Sequence, residues 1–227
     1  MHRRRFGVGD LLDGIAAAAV AVALFLVFLV APREAVMGDI QRVFYFHVAA
    51  AWVGYLALLV VFAAAVVYLL RGDRRWDRVA LSSVEIGMVF LTEGIVTGMF
   101  WAKATWGKPW VWEPRLTTSA VLWVIYAAYL LLRRSIEDPG RRARLSAVYG
   151  VLGFVAVPIN FMAIRWWRAV HPLVFDSSGA HLAPLMLAVL IFCVVTFTLL
   201  YASLLLHRLR LEWMSEQVRH LRRQQGA

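Results

Sequence analysis

Six stretches of about twenty residues pass without a single Lys or Arg, and this pattern limits what the chain can fold into more than any motif does. A bilayer core about 30 Å thick is crossed by about 20 apolar residues in a helix, where the backbone satisfies all of its own hydrogen bonds. The windows run from Leu11 to Ala31, Val48 to Leu70, Ala80 to Ala102, Leu116 to Leu132, Leu145 to Ile164 and Leu182 to Leu206. They predict an all-α integral membrane protein of six transmembrane helices, with residues 1–227 forming one membrane domain and no soluble domain beside it. Composition agrees: 62% of residues are hydrophobic and 17% charged, with a mean hydropathy of +0.69, against about half and about a quarter in soluble domains. The first window follows Met1-His2-Arg3-Arg4-Arg5 as a signal peptide would, but it is too long and lacks a small-residue cleavage site. It reads as a retained helix.

The net charge of +10 does not point to nucleic acid, because the cations are spread between apolar runs instead of gathered on one face. Their distribution does predict sidedness, since short cytoplasmic loops are enriched in Lys and Arg. Of the 24 basic residues, seventeen fall in the amino terminus, the second and fourth loops and the carboxyl-terminal tail of about residues 207–227. The other seven are Arg33, Arg42, Lys103, Lys108, Arg115, Arg165 and Arg168. Both termini are therefore expected in the cytoplasm, and loops one, three and five outside. The single cysteine, Cys193, excludes an intramolecular disulfide and reads as packing. No internal repeat of the transporter kind is visible.

The outer loops carry the unusual residues. Four of ten tryptophans, Trp101, Trp106, Trp110 and Trp112, fall within twelve residues at the third loop, expected at about residues 102–116. An interfacial anchoring belt explains such residues, although a belt serves both interfaces and most of these tryptophans lie on one side. Pro109 and Pro114 disfavour helix there. Trp110 and Trp112 then alternate about Val111 and should share one face, a shelf for a large flat ligand. Histidines sort by side: His2, His207 and His220 read as solvated among cytoplasmic arginines, whereas His47, His171 and His181 lie outside. Two neutral imidazoles can hold haem iron from opposite faces. Lys103, Lys108 and Arg115 flank the tryptophans, where haem propionates need cations, and arginine pairs best with carboxylate. Zinc would want a third strong ligand; Glu113, Asp176 and His181 match no known spacing for it.

Glu85 and Glu93 are the ionisable residues of the third window, about 80° apart around a helix. Charges inside a bilayer are candidates for function. A proton or cation path is one reading, and a buried, hydrogen-bonded glutamate without an intramembrane Lys, Arg or His beside it is the other. Gly-rich phosphate loops and catalytic triads are absent from the outer loops.

The run Trp106-Gly107-Lys108-Pro109-Trp110-Val111-Trp112-Glu113-Pro114-Arg115-Leu116-Thr117 resembles the tryptophan-rich signature of the WWD haem-handling protein family. Its Arg-Leu-Thr continuation resembles the cytochrome c maturation protein C (haem exporter protein C) branch. The resemblance covers most of the chain and implies six helices, cytoplasmic termini in the bacterial inner membrane and a WWD segment between helices three and four. One histidine is expected in each flanking external loop, falling on His47 in Tyr45-Phe46-His47-Val48 and on His171 after Trp166-Trp167.

The resemblance implies that haem b, a transient and transported ligand, is held at the periplasmic face. His47 and His171 would be the axial ligands, Trp106, Trp110 and Trp112 the porphyrin shelf, and Arg115 or Lys108 the propionate partners. Glu113, which stands where the signature has Asp, would orient Arg115 or the chaperone. The implied partners are a periplasmic haem chaperone, the subunits of an ABC transporter, a small single-span subunit and membrane lipid. No enzyme activity of its own is implied. Pro172 after His171 is a departure from the pattern, with His181 as a fallback ligand. The rival reading is a small-solute or proton-coupled transport subunit using Glu85 and Glu93.

Overall fold

The computed structural model of the chain describes residues 7–167, 171, 174–176 and 179–224. The basic amino terminus, Arg168 and the turn expected at Pro172 lie outside the described residues. Six helical stretches are long and apolar enough to cross a membrane: Gly9–Val30, Gln41–Arg71, Arg74–Trp106, Pro114–Ser135, Pro139–Trp166 and Pro184–Val218. The chain is a multi-pass membrane protein.

In chain order, α1 (Val8–Phe25) runs into a π-helical turn at Leu26–Val30, followed by α2 (Gln41–Arg71), α3 (Arg74–Trp106) and α4 (Pro114–Ser135). Then come α5 (Pro139–Gly153), α6 (Ala156–Trp166), the antiparallel pair β1 (Phe175–Asp176) and β2 (Gly179–Ala180), and α7 (Pro184–Gln224). Most helices overrun their apolar windows. A charged residue ends a window in sequence without interrupting main-chain hydrogen bonding, so α2 starts at Gln41 instead of Val48, and α3 at Arg74 instead of Ala80. The real ends carry caps. Gly72, at φ 69°, closes α2, and Asp73 accepts from the Arg75 amide at 2.9 Å to open α3. Asp138 and Glu113 open α5 and α4 in the same way, each before a proline at the first helical position.

One expected helix is in fact two. Pro158 cannot donate to the Phe154 carbonyl, and its ring crowds that turn. The chain breaks at Phe154 and Val155, and tighter bonds from Val155 to Leu152 and from Val157 to Phe154 bridge the break.

Helices in lipid gain little from burying apolar surface and associate through close packing of small residues. The α2–α3 pair depends on this. A Cβ on Gly54 would stand 2.7 Å from a Leu91 methyl, and one on Gly87 would stand 2.7 Å from the Ala57 Cβ. Leu58, Val61, Val84, Leu122, Tyr126 and Tyr129 form the largest buried cluster between α2, α3 and α4, while α1 packs along α7. Leu29, Phe100, Leu131 and Leu152 are exposed, as lipid-facing side chains are.

The two ends of the bundle differ. At what we term the arginine end, Arg133 grips Asp77 bidentately at 2.5 and 3.0 Å, and Arg78 pairs with Glu216 at 2.7 Å. Arg208 bonds Glu85 at 2.7 Å and Glu212 at 2.5 Å. Glu85 therefore does have a cation beside it, contrary to the sequence expectation. The apolar window stops at Leu206, whereas α7 continues as helix and carries Arg208 back alongside α3. His207 is likewise no simple solvated residue: it bonds Asp13 at 2.8 Å, and Ser203 donates to the same carboxylate at 2.5 Å. The other end, where α2 begins and α3 gives way to α4, is the tryptophan end.

Candidate functional site

At the tryptophan end, α3 continues through Trp106 before Gly107, at φ 75°, turns it. The non-helical link to α4 is therefore only residues 107–113, shorter than the expected loop. Trp101 and Trp106 lie on the last turns of α3, with ring centroids 5.3 Å apart and planes at 82°. Trp110 and Trp112 lie in the link, 5.5 Å apart at 79°. Perpendicular indoles do not form one flat shelf. Instead Trp101, Trp106 and Trp110 line a cavity, partly open to the outside, while Trp112 is 78% exposed beyond it.

His47 and His171 both line this cavity, although 124 residues separate them in sequence, and their ring centroids are 6.2 Å apart at 36°. His47, on the second turn of α2, is locked by α3: its Nδ1 lies 2.8 Å from the Gly94 carbonyl and 3.2 Å from Thr97 Oγ1. A carbonyl can only accept, so Nδ1 donates and carries the ring proton. Nε2 is then left with its lone pair. This is the arrangement of a metal-ligating histidine, whose second nitrogen donates to a backbone carbonyl. Gly98 makes room for the ring, since a Cβ there would stand 2.9 Å from His47 Cε1.

The expected cations separate. Arg115, on the first turn of α4, lines the cavity; its Nη1 donates to the Asn160 main-chain oxygen at 2.6 Å, and its guanidinium lies 5.6 Å from the centre of the Tyr55 ring. Lys103 and Lys108 are exposed, and neither lines the cavity. Glu113 is 9% exposed, and its Oε1 accepts from the Leu116 amide at 3.1 Å. Its evident task is to cap the helix that carries Arg115. His181 is exposed, outside the cavity lining. Among the described residues, no three His, Cys, Asp or Glu side chains form a metal-binding group. Glu93 is half-buried on α3 and does not line the cavity.

Sequence reasoning missed other lining residues, among them Trp101, Tyr55 and Asn160. Trp101 was counted in the cluster but not placed in the site, and Tyr55 and Asn160 belong to no motif. The indole N–H groups of Trp101 and Trp110 are buried without hydrogen-bond partners. Native structures rarely leave such donors idle; here both belong to residues that line the cavity, where a ligand could supply acceptors.

The fold and site define a class: a multi-pass membrane protein with a tryptophan-lined cavity, two facing imidazoles and one arginine, suited to a large, flat, anionic ligand. A sequence model of the heme exporter protein C family matches residues 7–224. The chain is 30% identical over 199 residues to heme exporter protein C of Bradyrhizobium diazoefficiens, covering 87% of this chain and 76% of the relative. It is 31% identical over 198 residues to that of Rhodobacter capsulatus, covering 86% and 81%. A putative cytochrome c biosynthesis ccmC-like mitochondrial protein of Marchantia polymorpha is 30% identical over 166 residues, covering 73% and 70%. The chain belongs to the heme exporter protein C family.

Proposed function

We propose that this protein holds haem b, as transported cargo, between His47 and His171 at the tryptophan end, and gives it up there to a periplasmic haem chaperone. Family membership gives the chain a role in haem handling for cytochrome c biogenesis. The single observation that supports the finer reading is the imidazole pair. Two imidazoles that share one metal at about 2.0 Å from each nitrogen have ring centroids roughly 6 Å apart, and 6.2 Å is found.

Each residue then has a task. His47 offers Nε2 because Gly94 and Thr97 hold its proton on Nδ1. Trp101, Trp106 and Trp110 wall the ring and exclude water, and Arg115 meets a propionate. Lys108 and Trp112 are exposed and in this reading would meet the chaperone or a protruding edge of the ligand. Haem supplies the iron; the chain supplies ligands, walls and a counter-charge. The cation distribution supports an inner-membrane orientation with both termini cytoplasmic and the tryptophan end periplasmic. The ABC transporter subunits and a small single-span subunit are the partners this reading implies.

The test is the visible spectrum and pyridine haemochrome of the detergent-purified protein beside His47→Ala, His171→Ala and His207→Ala. Haem content should fall at least about tenfold in the first two and hold in the third. Equal retention in all three overturns the axial assignment. The rival, solute transport through Glu85 and Glu93, instead expects a strong phenotype from Glu93→Gln. It fits poorly, because Arg208 neutralises Glu85 and Glu93 lies off the cavity.

A further inference from the structure

At the floor of the cavity one amide joins three helices. Asn160, on α6, is 1% exposed. Its Oδ1 accepts from the Tyr55 hydroxyl on α2 and from Arg115 Nη1 at 3.4 Å. Its Nδ2 donates to Thr118 Oγ1 at 2.8 Å, Ser119 Oγ at 3.0 Å and the Arg115 carbonyl at 3.3 Å, all on α4. An amide has two N–H donors and one oxygen with two lone pairs, so the capacity of Asn160 is fully used. A fully satisfied buried network fixes its members in place. The break before Pro158 separates α6 from α5, and α6, which carries Asn160, packs on α4.

The consequence falls on Arg115. Of its guanidinium, Nη1 is tied to the main-chain and side-chain oxygens of Asn160, and the group lies over the Tyr55 ring. Among the described residues no directed hydrogen bond runs from Nε or Nη2, although the Tyr55 hydroxyl lies near the guanidinium, and the residue lines the cavity. The cation is clamped at one nitrogen and free along an edge of two donors, the geometry that takes a carboxylate bidentately. An arginine tied only by its flexible stem would have to be ordered by the ligand, at a cost to affinity.

We infer that Asn160, backed by Tyr55, is a positioning residue that presents the open edge of Arg115 to a carboxylate of the ligand, and so selects a porphyrin with free acid side chains over one whose acids are masked. This rests on the haem reading above and adds to it a chemical basis for selectivity that neither the tryptophan signature nor the histidines supply.

The experiment titrates the full-length protein in detergent with haem and with haem dimethyl ester, which has the same ring and iron but esterified acids. The parent should prefer haem by about tenfold or more, the worth of a charge-assisted hydrogen bond. Asn160→Ala should bring that preference within about threefold while the affinity for the ester and the Soret position stay those of the parent. Tyr55→Phe, which keeps the ring and removes one donor, should fall between. Arg115→Gln should match Asn160→Ala, and combining the two should add nothing further, because one acts through the other.

Equal affinity of the parent for the two porphyrins overturns the inference but not the haem reading. Failure of the parent to bind either overturns both. A loss in Asn160→Ala that is equal for haem and ester marks a merely structural residue and also overturns the inference. If Asn160→Ala does not reach the membrane, Asn160→Ser and Tyr55→Phe give the same ratio of affinities: a narrowed preference supports the inference, and an unchanged one overturns it.

Discussion

The arginine end and the tryptophan end are built from the same helices yet handle polar groups in opposite ways. At the first, Arg78, Arg133 and Arg208 each meet a carboxylate at 2.7 Å or less, and Asp13 takes both Ser203 and His207. At the second, two indole N–H groups are buried without partners, an arginine keeps one edge open, and two imidazoles face each other across a cavity. A buried charge is costly unless paired, so the first end is closed for stability. Around its cavity, the second leaves some donors unused. Departures from local satisfaction gather where a molecule is to be received.

That contrast can be broken at either end. The largest effect is expected from Asp77→Ala, which strands the Arg133 guanidinium, 8% exposed, without its counter-ion. Removing one partner of a buried pair costs about 3–5 kcal/mol, and thermal unfolding in detergent should fall accordingly while protein that does fold binds haem as the parent does. A loss below about 1 kcal/mol would mean the pair behaves as a surface bridge. Next is Gly98→Ala, which acts at the opposite end. The new methyl meets the His47 ring, and the ring cannot turn away without losing its bond to Gly94. Haem affinity should drop by about tenfold with little change in the unfolding midpoint; unchanged affinity would show that the ring is free to move. The smallest is Glu113→Ala at the junction of α3 and α4. Loss of the cap should cost about 1 kcal/mol, read as a fall of about 2–4 °C in Tm, and loosen the turn that carries Arg115.

Much of the fold was legible because hydropathy and charge are summed over whole windows, and each of the six windows lies along a helical stretch. His47 and His171, which the family resemblance pairs, are neighbours in space. What stayed hidden depends on single residues acting across helices. Arg208 lies just past an apolar run, so it read as tail until α7 placed it against Glu85. Asn160 is one polar residue in an apolar stretch, with no spacing to mark it. Pro158 was visible, but its effect, a second helix in place of one, depends on how the freed turn repacks. The tryptophans misled in detail because alternation about Val111 sets direction along an extended chain and says nothing of how each indole rotates, which left Trp112 outside and brought Trp101 in.

One detail of His47 bears on speed. Its proton sits on Nδ1, where the Gly94 carbonyl accepts it, and not on Nε2. Nothing has to be expelled from Nε2 before it engages an electron-poor centre, and nothing has to be fetched back before it lets go. While the ring stays neutral, catch and release at that atom are uncoupled from the acidity of the surrounding compartment. A site that must surrender what it holds gains from this, because each exchange involves one bond and no proton transfer.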